Sequence, residues 1–137
     1  PGQGSQAVGM GKALADAFPV ARAVFDEVDA ALSEKLTSII WDGPAETLQL
    51  TENAQPALMA VSIATLRVLE AEAGFSVGRD AAFVAGHSLG EYSALAAAGK
   101  TDNPDSTGNH AAAKKPAARR FPPLQPALAA PARAPWR

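Results

Sequence analysis

Residues 81–98 read AAFVAGHSLGEYSALAAA and form the most informative segment of this 137-residue chain. The apolar run at 81–85 predicts a buried parallel strand. The small residues at 88–98 predict a helix that can approach a sheet closely. Between them, Gly86-His87-Ser88-Leu89-Gly90 matches the G-x-S-x-G nucleophile elbow, a strained strand-to-helix turn that exposes a serine hydroxyl. The segment therefore predicts an α/β fold with Ser88 as a candidate nucleophile.

The elbow pattern also explains the residue types that flank the serine. A side chain at Gly86 or Gly90 is expected to clash with the neighbouring backbone, which approaches closely in such a turn. The helix that follows directs its N-terminus at the reacting centre. The backbone N–H of Leu89 is then a candidate donor to the oxyanion formed when the serine oxygen attacks a carbonyl.

Neither histidine of the chain is predicted to be a general base. His87 adjoins Ser88 on a tight turn, where neighbouring side chains point in different directions, and the base of a serine enzyme normally comes from a distant part of the chain. We expect His87 to pack or hydrogen-bond nearby. His110 lies in a segment rich in Pro and Ala, where we expect it to be solvated. We therefore predict that the general base is absent from this chain.

The residues before the elbow predict helices separated by loops. Val20, Val24, Val28 and Leu32 recur every four residues, as on one face of a helix. The segment 57–64 is apolar nearly all round, which is typical of a helix buried on more than one face. The predicted elements are a loop at 3–11, a helix at 20–34, a short helix after Gly43-Pro44, a long helix from an N-cap at Asn53 to Gly74, and a helix at 88–98.

Composition divides the chain into two unlike parts. Residues 1–100 hold 6 Lys and Arg against 12 Asp and Glu, whereas residues 101–137 hold 6 against 2. The second part also contains seven of the 11 prolines and ten alanines, with no Val or Ile. It has little branched surface to bury, and proline interrupts helices. We predict one domain at 1–100 and a disordered, low-complexity tail at 101–137.

Several classes of protein are not expected from this composition. The chain has no cysteine, so it forms no disulfide or thiolate metal site, and no metal site is predicted. It has no apolar run long enough to span a membrane and no signal-peptide pattern at its start. Residues 1–100 are mildly acidic, so they are not expected to form the basic patch that nucleic-acid binding requires. A cytoplasmic protein is the expectation.

Three sequence blocks together resemble the malonyl-CoA:acyl carrier protein transacylases of bacterial fatty-acid synthesis. Their order and spacing follow those of the family, which makes them far more specific than the elbow alone. The resemblance covers residues 1 to about 99. The blocks are PGQGSQ at 1–6 with VGMG at 8–11, LTENAQPAL at 50–58, and GHSLGEYSAL at 86–95.

This resemblance implies a fold, a reaction and roles for particular residues. The fold is an incomplete α/β-hydrolase-like acyltransferase core. A serine takes malonyl from malonyl-CoA, and the phosphopantetheine thiol of acyl carrier protein then removes it. No cofactor is expected, and the intact enzyme is expected to be a monomer. By position, Ser88 matches the nucleophile, Gln3 and Leu89 match the residues whose backbone N–H groups form the oxyanion hole, and Gln55 and His87 lie near the substrate.

The family pattern ends at about Lys100. The features expected next are a helix with an arginine that binds the malonyl carboxylate, a small ferredoxin-like subdomain and the histidine that activates the serine. Arg119 and Arg120 have no predicted helix to position them, so we do not assign them the arginine's role. The hypothesis is an N-terminal fragment joined to an unrelated or out-of-frame tail. It predicts low solubility and negligible malonyl transfer, because loss of the base can cost about a million-fold in turnover.

Three alternatives remain open from the sequence. A polyketide-synthase acyltransferase domain shares the Gln-Gly-Ser and Gly-His-Ser blocks. A serine esterase of the α/β-hydrolase kind explains the elbow but not the block around Gln55. A non-catalytic remnant that only binds acyl carrier protein needs no reactive Ser88.

Overall fold

A computed structural model of the chain describes residues 2–99, and seven helices and no strand occur among these residues. The helices account for most of this part of the chain and are joined by short loops. They are α1 Lys12–Ala17, α2 Pro19–Leu32, α3 Leu36–Asp42, α4 Ala45–Gln49, α5 Thr51–Ala73, α6 Val77–Asp80 and α7 Leu89–Ala97.

Helix α2 begins and ends where its sequence signals predict. Pro19 occupies the first helical position, where its fixed φ suits the helix and its missing N–H costs nothing. Val24 and Val28, in the middle of the predicted four-residue repeat, are buried. The helix ends at Leu32, and the C-cap residue Ser33 has a left-handed φ of 53°. The predicted helix at 20–34 is therefore confirmed to within two residues at each end.

Helix α5 is the longest element and lies against most of the others. It packs on α2, α3, α4 and α7, and most residues of the segment 57–64 are buried. The predicted burial on more than one face is confirmed. Gly74 ends the helix in the left-handed conformation, with a φ of 64°, as glycine commonly does after a helix.

The N-terminal cap predicted for this helix was wrong. Leu50 is the N-cap residue, and Asn53 lies inside the first turn. The Asn53 side chain donates from Nδ2 to the carbonyl oxygen of Thr47, at 2.9 Å, rather than accepting from the helix. This bond joins the start of α5 to the preceding helix α4. The chain turns from α4 into α5 so tightly that the helix starts before the asparagine.

The core lies between α2 and α5 and is closed by α3 and α4. Its largest fully buried side chains are Phe25, Leu36, Ile40 and Leu48. Phe25 meets Trp41 edge to face, with ring centroids 5.3 Å apart, a preferred arrangement of aromatic pairs. The buried apolar cluster takes residues from six helices, which are α1, α2, α3, α4, α5 and α7.

The predicted strand at 81–85 is not present in the structure. Ala81 has extended backbone angles, yet no residue from 82 to 86 donates a backbone hydrogen bond to any other residue within 2–99. The side chain of Phe83 is 94% exposed and that of Val84 is 42% exposed. A strand exists only when a second extended segment supplies the ladder of hydrogen bonds, and residues 2–99 contain no such segment.

The part of the chain that is described is therefore helical, and an α/β arrangement is not observed in it. Helix α7 packs against α5, where a sheet was predicted to lie. Among the helices of residues 2–99, none is both long and apolar enough to cross a membrane. The predicted tail at 101–137, with His110, Arg119 and Arg120, lies outside the described residues.

Candidate active site

Ser88 has a backbone conformation that few residues other than glycine adopt. Its φ is 55° and its ψ is −121°, and it is the N-cap residue of α7. A non-glycine residue in such a region costs about 1–3 kcal/mol and persists only where its surroundings enforce it. Two hydrogen bonds close the turn, from Gly90 N to His87 O at 3.0 Å and from Glu91 N to Ser88 O at 3.1 Å. The predicted strained turn at the start of α7 is therefore present, although no strand precedes it among residues 2–99.

Gly86 is the residue that allows this turn to be so tight. A Cβ atom placed there would overlap the Gly90 carbonyl group and come within 2.5 Å of Glu91 N. Because the obstacle is backbone, no rotation of a side chain can relieve it. The predicted clash at Gly86 is confirmed. At Gly90 the prediction was wrong, since a Cβ atom there meets nothing within 4 Å.

The elbow leaves both a hydroxyl and an amide hydrogen available. The side chain of Ser88 makes no hydrogen bond with any residue of 2–99, and the residue is exposed. The backbone N–H of Leu89 also has no acceptor within that range, while its side chain is only 8% exposed and holds the start of α7 against the protein. An unengaged hydroxyl and an unpaired backbone N–H therefore lie on consecutive residues.

Gln3 lies at the corner of a turn near the start of the chain. The turn is closed by a hydrogen bond from Ser5 N to Gly2 O, at 3.1 Å, and its third residue, Gly4, has a φ of 101°. A positive φ at this position is the mark of a type II turn, which favours glycine. The turn does not use the Gln3 N–H, and no acceptor for that group occurs among residues 2–99.

The Gln3 side chain, in contrast, is engaged. Its Nε2 donates to the hydroxyl oxygen of Thr51, at 3.0 Å. Thr51 is the first residue of α5. Sequence reasoning did not single out this threonine, although it belongs to the block at 50–58 that carries the resemblance.

The remaining predicted residues are not joined to the serine by hydrogen bonds. Gln55 is half-buried in the second turn of α5, and its side chain has no hydrogen-bond partner within residues 2–99. The His87 ring is exposed and makes no bond to Ser88 or to any other part of the described chain. The prediction that His87 packs or hydrogen-bonds nearby was therefore wrong for these residues. That His87 is not the general base stays a prediction.

Shifted ionisable groups lie on elements other than the elbow. A hydrogen bond from Lys12 lowers the pKa of Asp16 in α1, and a hydrogen bond from Arg79 lowers the pKa of Asp80 in α6. Burial raises the pKa of Glu27 in α2. Within residues 2–99 no set of three or more His, Cys, Asp or Glu side chains is arranged to hold a metal ion. The described residues of the turn around Ser88 offer an exposed hydroxyl and an unpaired backbone N–H.

Comparison with known proteins matches most of the chain to one family. Residues 1–117 match the family described as "Acyl transferase domain". The malonyl CoA-acyl carrier protein transacylase of Bacillus subtilis (strain 168) is 56% identical over 99 residues, which cover 72% of this chain and 30% of the relative. The Escherichia coli (strain K12) protein of the same name is 45% identical over 106 residues, or 77% of this chain and 33% of the relative.

Solved structures agree with these relatives. The acyl-carrier-protein-S-malonyltransferase of Bartonella henselae superposes with a TM-score of 0.70 and 66% identity, over 72% of this chain and 31% of that one. A malonyl-transacylase solved in complex with a type II PKS acyl-carrier protein has a TM-score of 0.65 and 47% identity over the same shares. The chain thus spans about a third of the length of the relatives it matches.

Proposed function

Because this chain belongs to the acyl transferase domain family, we propose that it carries the nucleophile-bearing part of a malonyl-CoA:acyl carrier protein transacylase. The observation that carries the proposal is the backbone of Ser88, held at φ 55° at the start of α7 with its hydroxyl unengaged within residues 2–99. Such a conformation costs free energy and is typical of functional sites. In acyl transfer it would present the Ser88 hydroxyl to an incoming thioester.

The reaction proceeds through a covalent acyl-serine. The Ser88 oxygen attacks the thioester carbonyl carbon of malonyl-CoA, and a C–O bond forms as the carbonyl oxygen becomes negative. The Leu89 and Gln3 N–H groups donate to that oxygen, and such stabilisation of the developing charge is usually the largest single contribution to catalysis. The C–S bond then breaks, coenzyme A leaves as the thiol with the serine's proton, and Ser88 holds the malonyl group.

The second half of the reaction reverses these steps with a different thiol. The phosphopantetheine thiol of acyl carrier protein attacks the malonyl-serine ester, forms the new thioester and returns the proton to Ser88. Since one thioester is exchanged for another, the reaction needs no cofactor. The solved malonyl-transacylase in complex with a type II PKS acyl-carrier protein supports this choice of partner. Gln55 and His87 are proposed to lie beside the bound acyl chain.

The segment 81–85 is proposed to act as a strand in the complete acyltransferase. Its backbone is extended at Ala81, its N–H groups at 82–86 are unpaired within residues 2–99, and Phe83 is almost fully exposed. The relatives are about three times as long as this chain's matched part. The additional length would supply the neighbouring strands, and with them the α/β-hydrolase-like core.

A second candidate is an acyltransferase domain of a polyketide synthase. The phenolphthiocerol synthesis polyketide synthase Pks15/1 of Mycobacterium marinum is 44% identical over 103 residues, or 72% of this chain and 5% of the relative. The higher identity to the stand-alone transacylases favours the first candidate. Flanking coding sequence for ketosynthase or carrier domains would instead favour the second candidate.

The test is acylation of the 137-residue chain by malonyl-CoA, followed by intact-mass spectrometry. Loss of the general base lowers turnover by about a million-fold, and an ordinary enzyme turns over about 10 times per second. We therefore expect an acylation rate on the order of 10⁻⁵ per second, which is a half-time of roughly 20 hours. One malonyl group should appear and map to Ser88 by peptide fragmentation.

Two variants make this test specific. Ser88→Ala should gain no malonyl group. Ser93→Ala, which removes a hydroxyl from the same helix, should acylate at the parent rate. A parent chain that stays unmodified after several days, or a malonyl group that maps elsewhere, would contradict the proposal.

A further inference from the structure

The turn that presents Gln3 is attached to the helices through a single side-chain hydrogen bond among the described residues. Gln3 Nε2 donates to Thr51 Oγ1 at 3.0 Å. The other hydrogen bonds of residues 2–6 stay within the turn, from Gly4 N to Gln6 Oε1 at 2.7 Å and from Ser5 Oγ to Gly2 O at 2.6 Å. These internal bonds shape the turn but do not place it relative to the serine.

The far end of the same loop is held in a different way. Gly9 N donates to Ile40 O in α3, at 2.8 Å. Gly11 lies so close to the core that a Cβ atom there would come within 2.7 Å of the Phe25 ring. Residues 9–11 are therefore fixed by the backbone and by core packing, independently of Thr51. Residues 2–6 lack such packing, since most of them are exposed.

Thr51 connects this turn to the helix that also supports the elbow. It is the first residue of α5, and α5 packs against α7, whose first residue is Leu89. The two proposed oxyanion donors lie more than 80 residues apart in sequence. Both donors are supported by α5. The Leu89 N–H is supported because α7 packs against α5, and the Gln3 N–H is supported because the Gln3 side chain bonds to the Thr51 hydroxyl.

We infer that Thr51 is a positioning residue of the oxyanion hole, acting by holding the Gln3 side chain so that the Gln3 backbone N–H faces the carbonyl oxygen. The inference rests on the proposed function of Gln3 and Leu89. An oxyanion donor is effective only within about 2.7–3.1 Å of the position that the negative oxygen takes. A turn released from Thr51 would sample other positions and would donate for only part of the time.

The test compares four single substitutions in the 137-residue chain. Thr51→Val keeps the branched shape and removes the accepting oxygen, and Thr51→Ser restores that oxygen. Gln3→Met removes the donor from the other side while keeping the backbone N–H. Thr65→Val is the matched control, since it removes a hydroxyl from the same helix that bonds only to the Val61 carbonyl oxygen.

The first readout is the rate of Ser88 acylation at several malonyl-CoA concentrations. A neutral hydrogen bond contributes about 0.5–1.5 kcal/mol, so Thr51→Val should lower the maximal rate by roughly two- to twelvefold. The half-saturating concentration should change by less than about twofold, because the bond orders a group that acts after binding. Thr51→Ser and Thr65→Val should match the parent. Gln3→Met should match Thr51→Val, and combining these two changes should add nothing further.

The second readout does not depend on acylation. In a ¹H–¹⁵N spectrum, Thr51→Val should shift the Gln3 backbone amide signal and lower its heteronuclear NOE, leaving the Leu89 signal in place. If the parent chain does not acylate, the proposed function fails, while this spectrum still decides whether Thr51 orders Gln3. An unchanged Gln3 signal in Thr51→Val, or an unchanged maximal rate, would overturn the inference. If Thr51→Val does not fold, Gln3→Met gives the same decision.

Discussion

Ser88 is held in its unfavourable conformation by contacts on both sides of it. The Leu89 side chain that follows is buried, and the two turn hydrogen bonds tie His87 and Ser88 to the first turn of α7. Before it, the chain passes Gly86 directly against the Gly90 carbonyl group. The backbone strain at Ser88 is therefore imposed by the residues on both sides of it, which hold the turn in a tight conformation.

Replacing Gly86 with alanine should abolish the elbow. The added methyl group would overlap the Gly90 carbonyl, so the turn must open and the Leu89 N–H must move away from the serine. Loss of an oxyanion donor costs roughly 100-fold or more in rate, so we expect no detectable malonyl group on Ser88 after a day. Intact-mass spectrometry measures this directly.

Gly90→Ala is the matched control for that substitution. It introduces the same methyl group four residues later, where a Cβ atom meets nothing within 4 Å. Alanine is favoured over glycine inside a helix by roughly 0.5–1 kcal/mol, so this variant should be as stable as the parent or slightly more so, with unchanged acylation. Equal behaviour of the two alanine variants would show that Gly86 is not what shapes the elbow.

At the scale of elements, one long helix relates the separate parts of the site. Helix α5 packs against α7 and begins at Thr51, which bonds to Gln3. The burial of the segment 57–64 on more than one side keeps α5 from shifting within the core. The helix therefore sets the distance between the N-terminal turn and the elbow, which no local sequence pattern specifies.

A carboxylate on α2 stabilises the start of α3. Asp29 accepts from Thr37 N at 3.0 Å and from Thr37 Oγ1 at 2.5 Å, and Thr37 is the buried polar residue among the described ones. Asp29→Ala should destabilise the chain by about 1–3 kcal/mol, because it leaves the threonine hydroxyl buried without a partner. Urea denaturation measures this loss.

A second carboxylate on α2 provides the control for the Asp29 substitution. Asp26 is exposed on α2, and Asp26→Ala should change the free energy of unfolding by less than about 0.5 kcal/mol. If both alanine variants unfold at the same urea concentration, the Asp29–Thr37 bonds contribute nothing to stability.

The pH dependence of stability should include a contribution from Glu27 on α2. Burial raises its pKa above the usual 4.5, against an opposing attraction from Arg67. The folded chain then binds the proton more tightly than the unfolded chain, so this group lowers stability as the pH rises from below 4.5 through the folded-state pKa. Glu27→Gln removes the ionisation. We expect Glu27→Gln to unfold at a higher urea concentration than the parent at pH 7, with the difference smaller at pH 3.5. A difference that grows toward low pH would contradict the assignment.

At the scale of the whole molecule, the chain spans about a third of the length of its relatives. The apolar residues Phe83 and Val84 remain exposed beside unpaired backbone groups. Unpaired backbone N–H and C=O groups beside exposed apolar side chains can pair with another chain, as those of an edge strand do. We expect the protein to self-associate through the segment 81–85.

Phe83→Asp should reduce this association. It places a charge on the exposed edge while leaving the core between α2 and α5 unchanged. Sedimentation velocity at several concentrations should show a larger monomer fraction than in the parent. Leu69→Asp is the control, since Leu69 is an exposed apolar residue on α5 whose backbone is hydrogen-bonded within the helix. An equal effect of the two changes would point to general hydrophobicity instead of the edge.

Local patterns in the sequence predicted much of this protein. The repeat of valines from Val20 to Val28, the glycine after α5 and the G-x-S-x-G pattern around Ser88 each act over a few residues, so they specified α2, the end of α5 and the elbow. The blocks at 1–6, 50–58 and 86–95 specified the family, which the relatives confirm.

Interactions between distant segments decided the rest. The run at 81–85 has the composition of a strand, but a strand requires a partner that residues 2–99 do not contain. Asn53 has the side chain of an N-cap, but the tight passage from α4 placed it inside the helix. The bond between Gln3 and Thr51 joins residues 48 positions apart. Short patterns carry information about their own backbone, whereas a hydrogen bond across that separation exists only once packing has brought both groups together.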